Sequence, residues 1–170
     1  DHLVRAWNIT YKLPITISNC SNNYGPYQHN EKLIPRVIYC AFRNKPIPVY
    51  GNGKQIRDWL YVEDHVEAIL TIISKGKIGS TYNVGARCEL QNIDLIKLIC
   101  QILDKKLNKN NDNSYANLIT HIRDRQGHDK RYAIDPSKIE NELCWKPKTD
   151  LKKGLQQTIE FYLDFLTRNK

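Results

Sequence analysis

The chain has 170 residues, 41% of them hydrophobic, and carries 26 Lys+Arg against 18 Asp+Glu for a net charge of +8. That length suits one domain, or one and a fraction, with enough apolar content for a real core. No apolar run nears the ~20 residues of a membrane span, no signal-peptide pattern is present, and no run of five or six basic residues or nucleic-acid motif accompanies the charge, so a solvated basic surface with no membrane and no nucleic-acid partner is expected.

Leu3, Val4, Trp7 and Tyr11 share one helical face with no capping run before them, as in a helix already under way at residue 1 and a piece cut from a longer chain. Residues 13–17 read as a buried strand. The polar run at 20–26 reads as a loop with turn chemistry. Leu33, Ile34, Val37, Ile38, Ala41 and Phe42 keep helical spacing, and residues 46–50 form a short extended segment. Gly51, Asn52 and Gly53 are a tight-turn signal, with residues 55–61 extending out of it.

Val62, Val66, Ile69, Leu70 and Ile73 form the next helix face, which stops at Lys75 and Gly76. Residues 80–84 are a strand ended by Gly85. Asn92 is placed to cap a helix carrying Leu95, Ile96, Ile99, Ile102 and Leu103. The Asn-rich stretch 108–117 is a surface loop, and 118–122 a strand. Asp135 and Pro136 open a helix through Ile139 and Leu143. A last amphipathic helix uses Leu151, Leu155, Thr158, Ile159, Tyr162 and Leu166. Alternating strands and helices make this an α/β chain, in which ligands gather at the carboxyl ends of strands.

The five cysteines, at 20, 40, 88, 100 and 144, form no CxxC pair. Their odd number and apolar settings point to no disulfide framework, no metal site and a reducing cytoplasm.

Three polar clusters fall at strand ends, at 20–26, 83–92 and 123–131. Asn22 and Asn23 offer amides beside Gly25, or simply make an Asn/Gly/Pro turn. Lys32 precedes an apolar helix face, where it meets an anion or serves solubility. The densest cluster, residues 56–65, places Arg57 among Asp58, Trp59, Tyr61, Glu63 and Asp64. Its planar fork suits a pyrophosphate, or it pairs with Asp58 or Asp64. Trp59 and Tyr61 read as core, and Glu63 and Asp64 as first-turn acids favouring a helix dipole. Residues 123–131 set four basic side chains and His128 around Gly127, as an anion-binding loop or a solvated charge run. No nucleophile, glycine-rich phosphate loop or metal-ligand spacing stands out.

The run Cys20-Ser21-Asn22-Asn23-Tyr24-Gly25-Pro26-Tyr27, the segments at 31–35, 48–51 and 56–65, Thr81 to Gly85, Gln91-Asn92, and Asp124-Arg125 through Asp135 together resemble the extended short-chain dehydrogenase/reductases. Among these the dTDP-glucose 4,6-dehydratases are the close match, over nearly the whole chain. The resemblance implies the tail of an NAD-binding Rossmann domain (residues 1–30 and 55–76) plus the smaller α/β nucleotide-sugar-binding domain (31–54 and 77–170). It implies that Asn22 touches the diphosphate region of a dTDP-sugar and Asn23 the NAD. Lys32 and Leu33 line the substrate pocket, and Pro48, Val49 and Tyr50 hold the thymine. Arg57, Asn92 and Arg125 contact the diphosphate, and His128 closes the nucleotide pocket.

The implied reaction is NAD-dependent oxidation at C4, loss of water across C5–C6 and return of hydride to C6. A homodimer is implied through the helix at residues 1–12. Gln126, Ala86 and Cys88 depart from the family pattern. The resemblance places the family's glycine-rich NAD loop, its Thr-Asp-Glu motif and its catalytic Tyr-x-x-x-Lys pair upstream of these residues. The expectation is therefore a carboxyl-terminal part with no catalytic residue, inactive alone. A sibling UDP-sugar dehydratase, epimerase or decarboxylase and a non-catalytic nucleotide-sugar-binding module remain open.

Overall fold

The computed structural model describes residues 1–168 and places three small sheets among six helices. Helix α1 (His2–Tyr11) leads to β1 (Ile17–Cys20) and β2 (Asn22–Tyr24), followed by α2 (Leu33–Phe42) and β3 (Ile47–Tyr50). Then come β4 (Ile56–Tyr61), α3 (Val62–Lys75), β5 (Thr81–Val84), β6 (Glu89–Gln91) and α4 (Asn92–Lys106). The chain finishes with β7 (Ile119–Ile122), β8 (Arg131–Tyr132), α5 (Ser137–Leu143) and α6 (Leu151–Arg168).

The helices fall where their apolar periodicity put them. The first strand does not: it begins at Ile17, where 13–17 was expected. Its partner decides this. β1 runs parallel to β5 in the register Ile17↔Thr81 to Cys20↔Val84, so residues 13–16 have no strand beside them, and Pro14 lacks a backbone donor. The loop expected at 20–26 contains β2, which exists because β4 offers it a parallel edge, Asn22↔Trp59 to Tyr24↔Tyr61. The Gly-Asn-Gly turn is present, with Gly51 and Gly53 at φ 57 and 72, but it joins no hairpin. β3 pairs with β7 instead, and β4 with β2, β6 and β8.

β4 is the hub. Its far half pairs with β2, and its near half pairs antiparallel with β6 and parallel with β8. Alternation along the strand sends its side chains to two cores. Trp59 and Tyr61, with Tyr24 opposite and Leu90 across the ladder, join the larger core of α2, α4 and α6. Leu60 joins a smaller core with Ala68, Ile72, Tyr82, Val84, Ile139, Leu143 and Trp145. Trp59 and Tyr61 are thus core residues, at 5% and 3% exposure.

Two close approaches fix α6 and the β5–β6 loop. A Cβ on Gly154 would lie 2.3 Å from the Tyr24 hydroxyl, and one on Gly85 would lie 2.6 Å from Asp58 Oδ2. Asp58 accepts from the backbone N–H of Cys88 at 2.7 Å and of Ala86 at 3.2 Å, so two of the three positions that depart from the family pattern are held by their backbone. Helix α1, by contrast, buries no residue; Leu3, Val4, Trp7 and Tyr11 are all exposed. Among the described residues no helix is long and apolar enough to cross a membrane.

Candidate functional site

Arg57 lies on the larger-core face of β4, on the same side as Trp59 and its strand partner Asn22. It is 8% exposed. Its Nη1 donates to the Ile56 carbonyl at 2.7 Å and its Nη2 to the Asp129 carbonyl at 3.0 Å. The ion pair with Asp58 or Asp64 does not form. Asp58, one residue along, faces the other way and clamps the 85–88 loop. Asp64, in the first turn of α3, accepts from the Thr149 N–H at 3.0 Å. The guanidinium therefore has no carboxylate partner among the described residues, and two carbonyls orient it.

Asn92 does not cap α4. Gln91 holds the cap position without a side-chain bond, and Asn92 is the first helical residue. Its N–H donates to the Gln55 carbonyl at 3.0 Å, and that of Ile93 to the Gly53 carbonyl at 2.9 Å, so the turn after β3 seals the helix start. The Asn92 Oδ1 is left buried with no partner. A buried unpaired amide oxygen costs about 1–3 kcal/mol, which a ligand donor would offset.

Gly51 and Gln55 also carry the 123–130 loop. A Cβ on Gly51 would sit 2.9 Å from Asp124 Oδ2. Asp124 accepts from Gln55 Nε2 at 2.8 Å, from the Arg125 N–H at 2.9 Å and contacts His128 Nδ1 at 2.7 Å. The His128 hydrogen bond is the main reason its carboxyl stays below the ordinary carboxylate range. The His128 ring meets Tyr50 edge-on, centroids 6.2 Å apart at 86°. Sequence reasoning named Arg125 and His128 but passed over Asp124 and Gln55, the residues that hold them; an acid two residues after a strand, opposite a required glycine, was the available signal.

The remaining predicted residues divide. Tyr50 is half-exposed, and Pro48 shares its face of β3, while Val49 is 2% exposed and points into the core, so only its backbone can meet a ligand. Leu33 packs against the larger core, and Lys32 stands exposed at the start of α2. Asn23 alternates to the smaller-core side, away from Asn22. Its Nδ2 donates to Cys20 Sγ at 3.2 Å and to the Ser21 carbonyl at 3.3 Å. Its Oδ1 and the Ser21 Oγ are buried without partners.

The two tyrosines that pack beside Trp59 are poorly placed for proton transfer near neutrality. Burial raises the Tyr24 hydroxyl well above its ordinary value and raises that of Tyr61, and the Tyr24 hydroxyl donates to the Leu151 carbonyl at 3.4 Å. The arrangement binds and orients: Arg57 near the start of β4, the Asn92 amide at the start of α4 and the Tyr50–His128 edge after β3 and β7 are tied together through the 51–55 turn and the 123–130 loop. Among the described residues no group of His, Cys, Asp or Glu is placed to hold a metal ion.

An α/β chain with its polar site at strand ends is of the ligand-binding class that nucleotide enzymes share. The GDP-mannose 4,6 dehydratase family matches residues 1–158, and the chain belongs to it. It is 55% identical over 163 residues to a dTDP-glucose 4,6-dehydratase of Escherichia coli, and 50% identical over 165 residues to one of Haemophilus influenzae. Each match covers 96% of this chain, but 45% and 49% of the relative. The crystal structure of a dTDP-glucose 4,6-dehydratase of Bacillus anthracis in complex with NAD superposes with a TM-score of 0.85 at 40% identity, over 96% of this chain and 49% of that one. The chain thus spans about half the length of the relatives it matches.

Proposed function

We propose that this chain supplies the nucleotide-sugar-binding part of an NAD-dependent dTDP-glucose 4,6-dehydratase, a lyase that makes dTDP-4-keto-6-deoxyglucose. Arg57 carries the proposal. A guanidinium this buried, without an acid partner, is compensated when an anion binds, because an unpaired buried charge is costly. In this reading Arg57, with Arg125 and the Asn92 amide, takes the diphosphate, and Asn22 approaches it from the same face of the sheet. Pro48, Tyr50 and the Val49 backbone hold the base, His128 closes over it, and Lys32 and Leu33 border the sugar.

The cofactor reading rests on the opposite face. Ser21 Oγ and Asn23 Oδ1 are acceptors without protein donors, and they fit a group that presents an amide N–H, as the nicotinamide carboxamide does. NAD, when bound, supplies the hydride acceptor for oxidation at C4 and the donor for the return to C6. The role of these residues is to orient one edge of it.

The two cores fit a division into a Rossmann-type part, with β1, α3 and their neighbours, and a nucleotide-sugar part built on the larger core. The strand β5 and helix α5 go with the former, since they line the smaller core. The exposed apolar face of α1 is the surface through which two copies would pair.

Calorimetric titration of the purified chain tests the proposal. Thymidine diphosphate should bind more tightly than uridine diphosphate. Binding of neither nucleotide would overturn the assignment, and preference for uridine would move it to a sibling UDP-sugar enzyme. No 4-keto product is expected from these residues alone: the Tyr-x-x-x-Lys spacing they contain, Tyr50 to Lys54, spans the turn between β3 and β4 rather than lying on a helix, and the family's catalytic pair belongs upstream of α1.

A further inference from the structure

Asp124 touches three elements at once. Its two oxygens offer four lone-pair sites, and three are used. Oδ1 accepts from the Arg125 N–H and meets His128 Nδ1, and Oδ2 accepts from Gln55 Nε2. It thereby ties the loop after β7 to the turn after β3. The fit is tight on the turn side, where Gly51 at φ 57 leaves no room for a Cβ beside the carboxylate. The Gly51 carbonyl is itself held by His121 Nδ1 at 2.8 Å.

An ionised carboxylate only accepts hydrogen bonds, so the ring nitrogen facing it must carry hydrogen. The His128 side chain is 6% exposed, and its Nε2 makes no hydrogen bond among the described residues. The ring in turn abuts Tyr50 edge-on. The position of the Tyr50–His128 wall thus depends on one carboxylate that hydrogen-bonds to neither Tyr50 nor Arg57.

We propose that Asp124 is the positioning residue of this site: it latches residues 123–130 to the 51–55 turn and fixes His128 as the Nδ1–H form, leaving Nε2 as the nitrogen available to a bound nucleotide. The ligand half of this proposal rests on the nucleotide-sugar reading above; the latch half does not.

The test uses the whole chain with Asp124→Ala, Asp124→Asn, His128→Ala and the Asp124→Ala/His128→Ala double variant. Long-range nitrogen–proton NMR, with His128→Ala assigning the signals, reads the tautomer. Calorimetry with thymidine diphosphate reads the affinity. The wild type should show His128 protonated at Nδ1 near neutral pH. Asp124→Ala should mix the tautomers and weaken binding about tenfold, the equivalent of one lost orienting hydrogen bond.

Asp124→Asn should recover binding to within about threefold. Its amide oxygen still accepts from Nδ1–H, and once the Gln55 amide turns over, exchanging Nε2 for the Oε1 that is now buried without a partner, its N–H can donate to that oxygen. If Asp124 acts through His128, the double variant should bind within about twofold of His128→Ala alone.

Dominant Nε2–H in the wild type would overturn the latch, as would wild-type affinity in Asp124→Ala. A fully additive double variant would overturn action through His128. A wild type with Nδ1–H that fails to bind thymidine diphosphate would sink the nucleotide reading and the ligand half, while upholding the latch.

Discussion

Replacing Arg57 by lysine keeps the charge and most of the volume but removes the fork. The guanidinium has five N–H donors; one on each Nη is engaged by the Ile56 and Asp129 carbonyls. Three remain for a ligand. Lysine has three donors in all, so it cannot hold both carbonyls and also grip two anionic oxygens. At least one charge-assisted bond, worth about 1.5–3 kcal/mol, is lost on binding, which weakens thymidine diphosphate by roughly 10- to 150-fold. Arg57→Ala should lose a similar or larger affinity, and also unfold more easily by about 1–3 kcal/mol, because the Ile56 and Asp129 carbonyls lose their donor. Calorimetry gives the first quantity and urea unfolding the second. A lysine variant that stays folded and binds within about twofold of the wild type would refute a bidentate role.

Gly154→Ala runs against helix propensity. Alanine ordinarily gains about 1 kcal/mol in a helix interior, but here the new methyl meets the Tyr24 hydroxyl at 2.3 Å and the Tyr61 ring at 3.0 Å, so a net loss of about 1–3 kcal/mol is expected in urea unfolding. The Asp135 and Glu140 carboxyls both lie below their ordinary values, Asp135 mainly through Ser137 with Arg87 adding to it, Glu140 mainly through Arg87. Groups depressed in the folded state stabilise above their unfolded pKa values of 3.8 and 4.5, and that contribution disappears as pH falls through the lower folded values. Arg87→Gln should therefore shift the acid transition, followed by circular dichroism, to higher pH. In thiol labelling, exposed Cys144 should react first, whereas Cys40 and Cys100 should wait for unfolding; burial pushes the Cys100 thiol to about 12.

Some elements could be seen in the residues and some could not, for reasons of length. The helices at 33–42, 62–75 and 92–106 each span several turns, so their apolar spacing repeats enough to be recognised. The strands β2, β6 and β8 are two or three residues long. Such segments carry no period of their own and are defined only by the edge of β4. The first strand was misplaced for the same reason: the apolar run began at Leu13, but the partner began at Thr81. In the site, Arg57 and the 123–131 cluster holding Arg125 and His128 were named from residue type and position in the chain, and Tyr50 from the family resemblance. Asp124 and Gln55 were not, because their role lies in contacts 69 residues apart in sequence.

The sequence by itself determined the α/β order, the helix faces, and an arginine able to meet an anion in the strand that leads into the third helix. Periodicity and side-chain chemistry are local properties, and they are written in consecutive residues. Only the tertiary structure decided which partner Arg57 takes. Three acids lie within seven residues of it, yet strand alternation turns Asp58 to the opposite face, Asp64 is engaged by the Thr149 backbone, and Glu63 begins a helix. The arginine is left to two carbonyls, one of them 72 residues away, because folding distributes side chains by face and reach rather than by proximity along the chain.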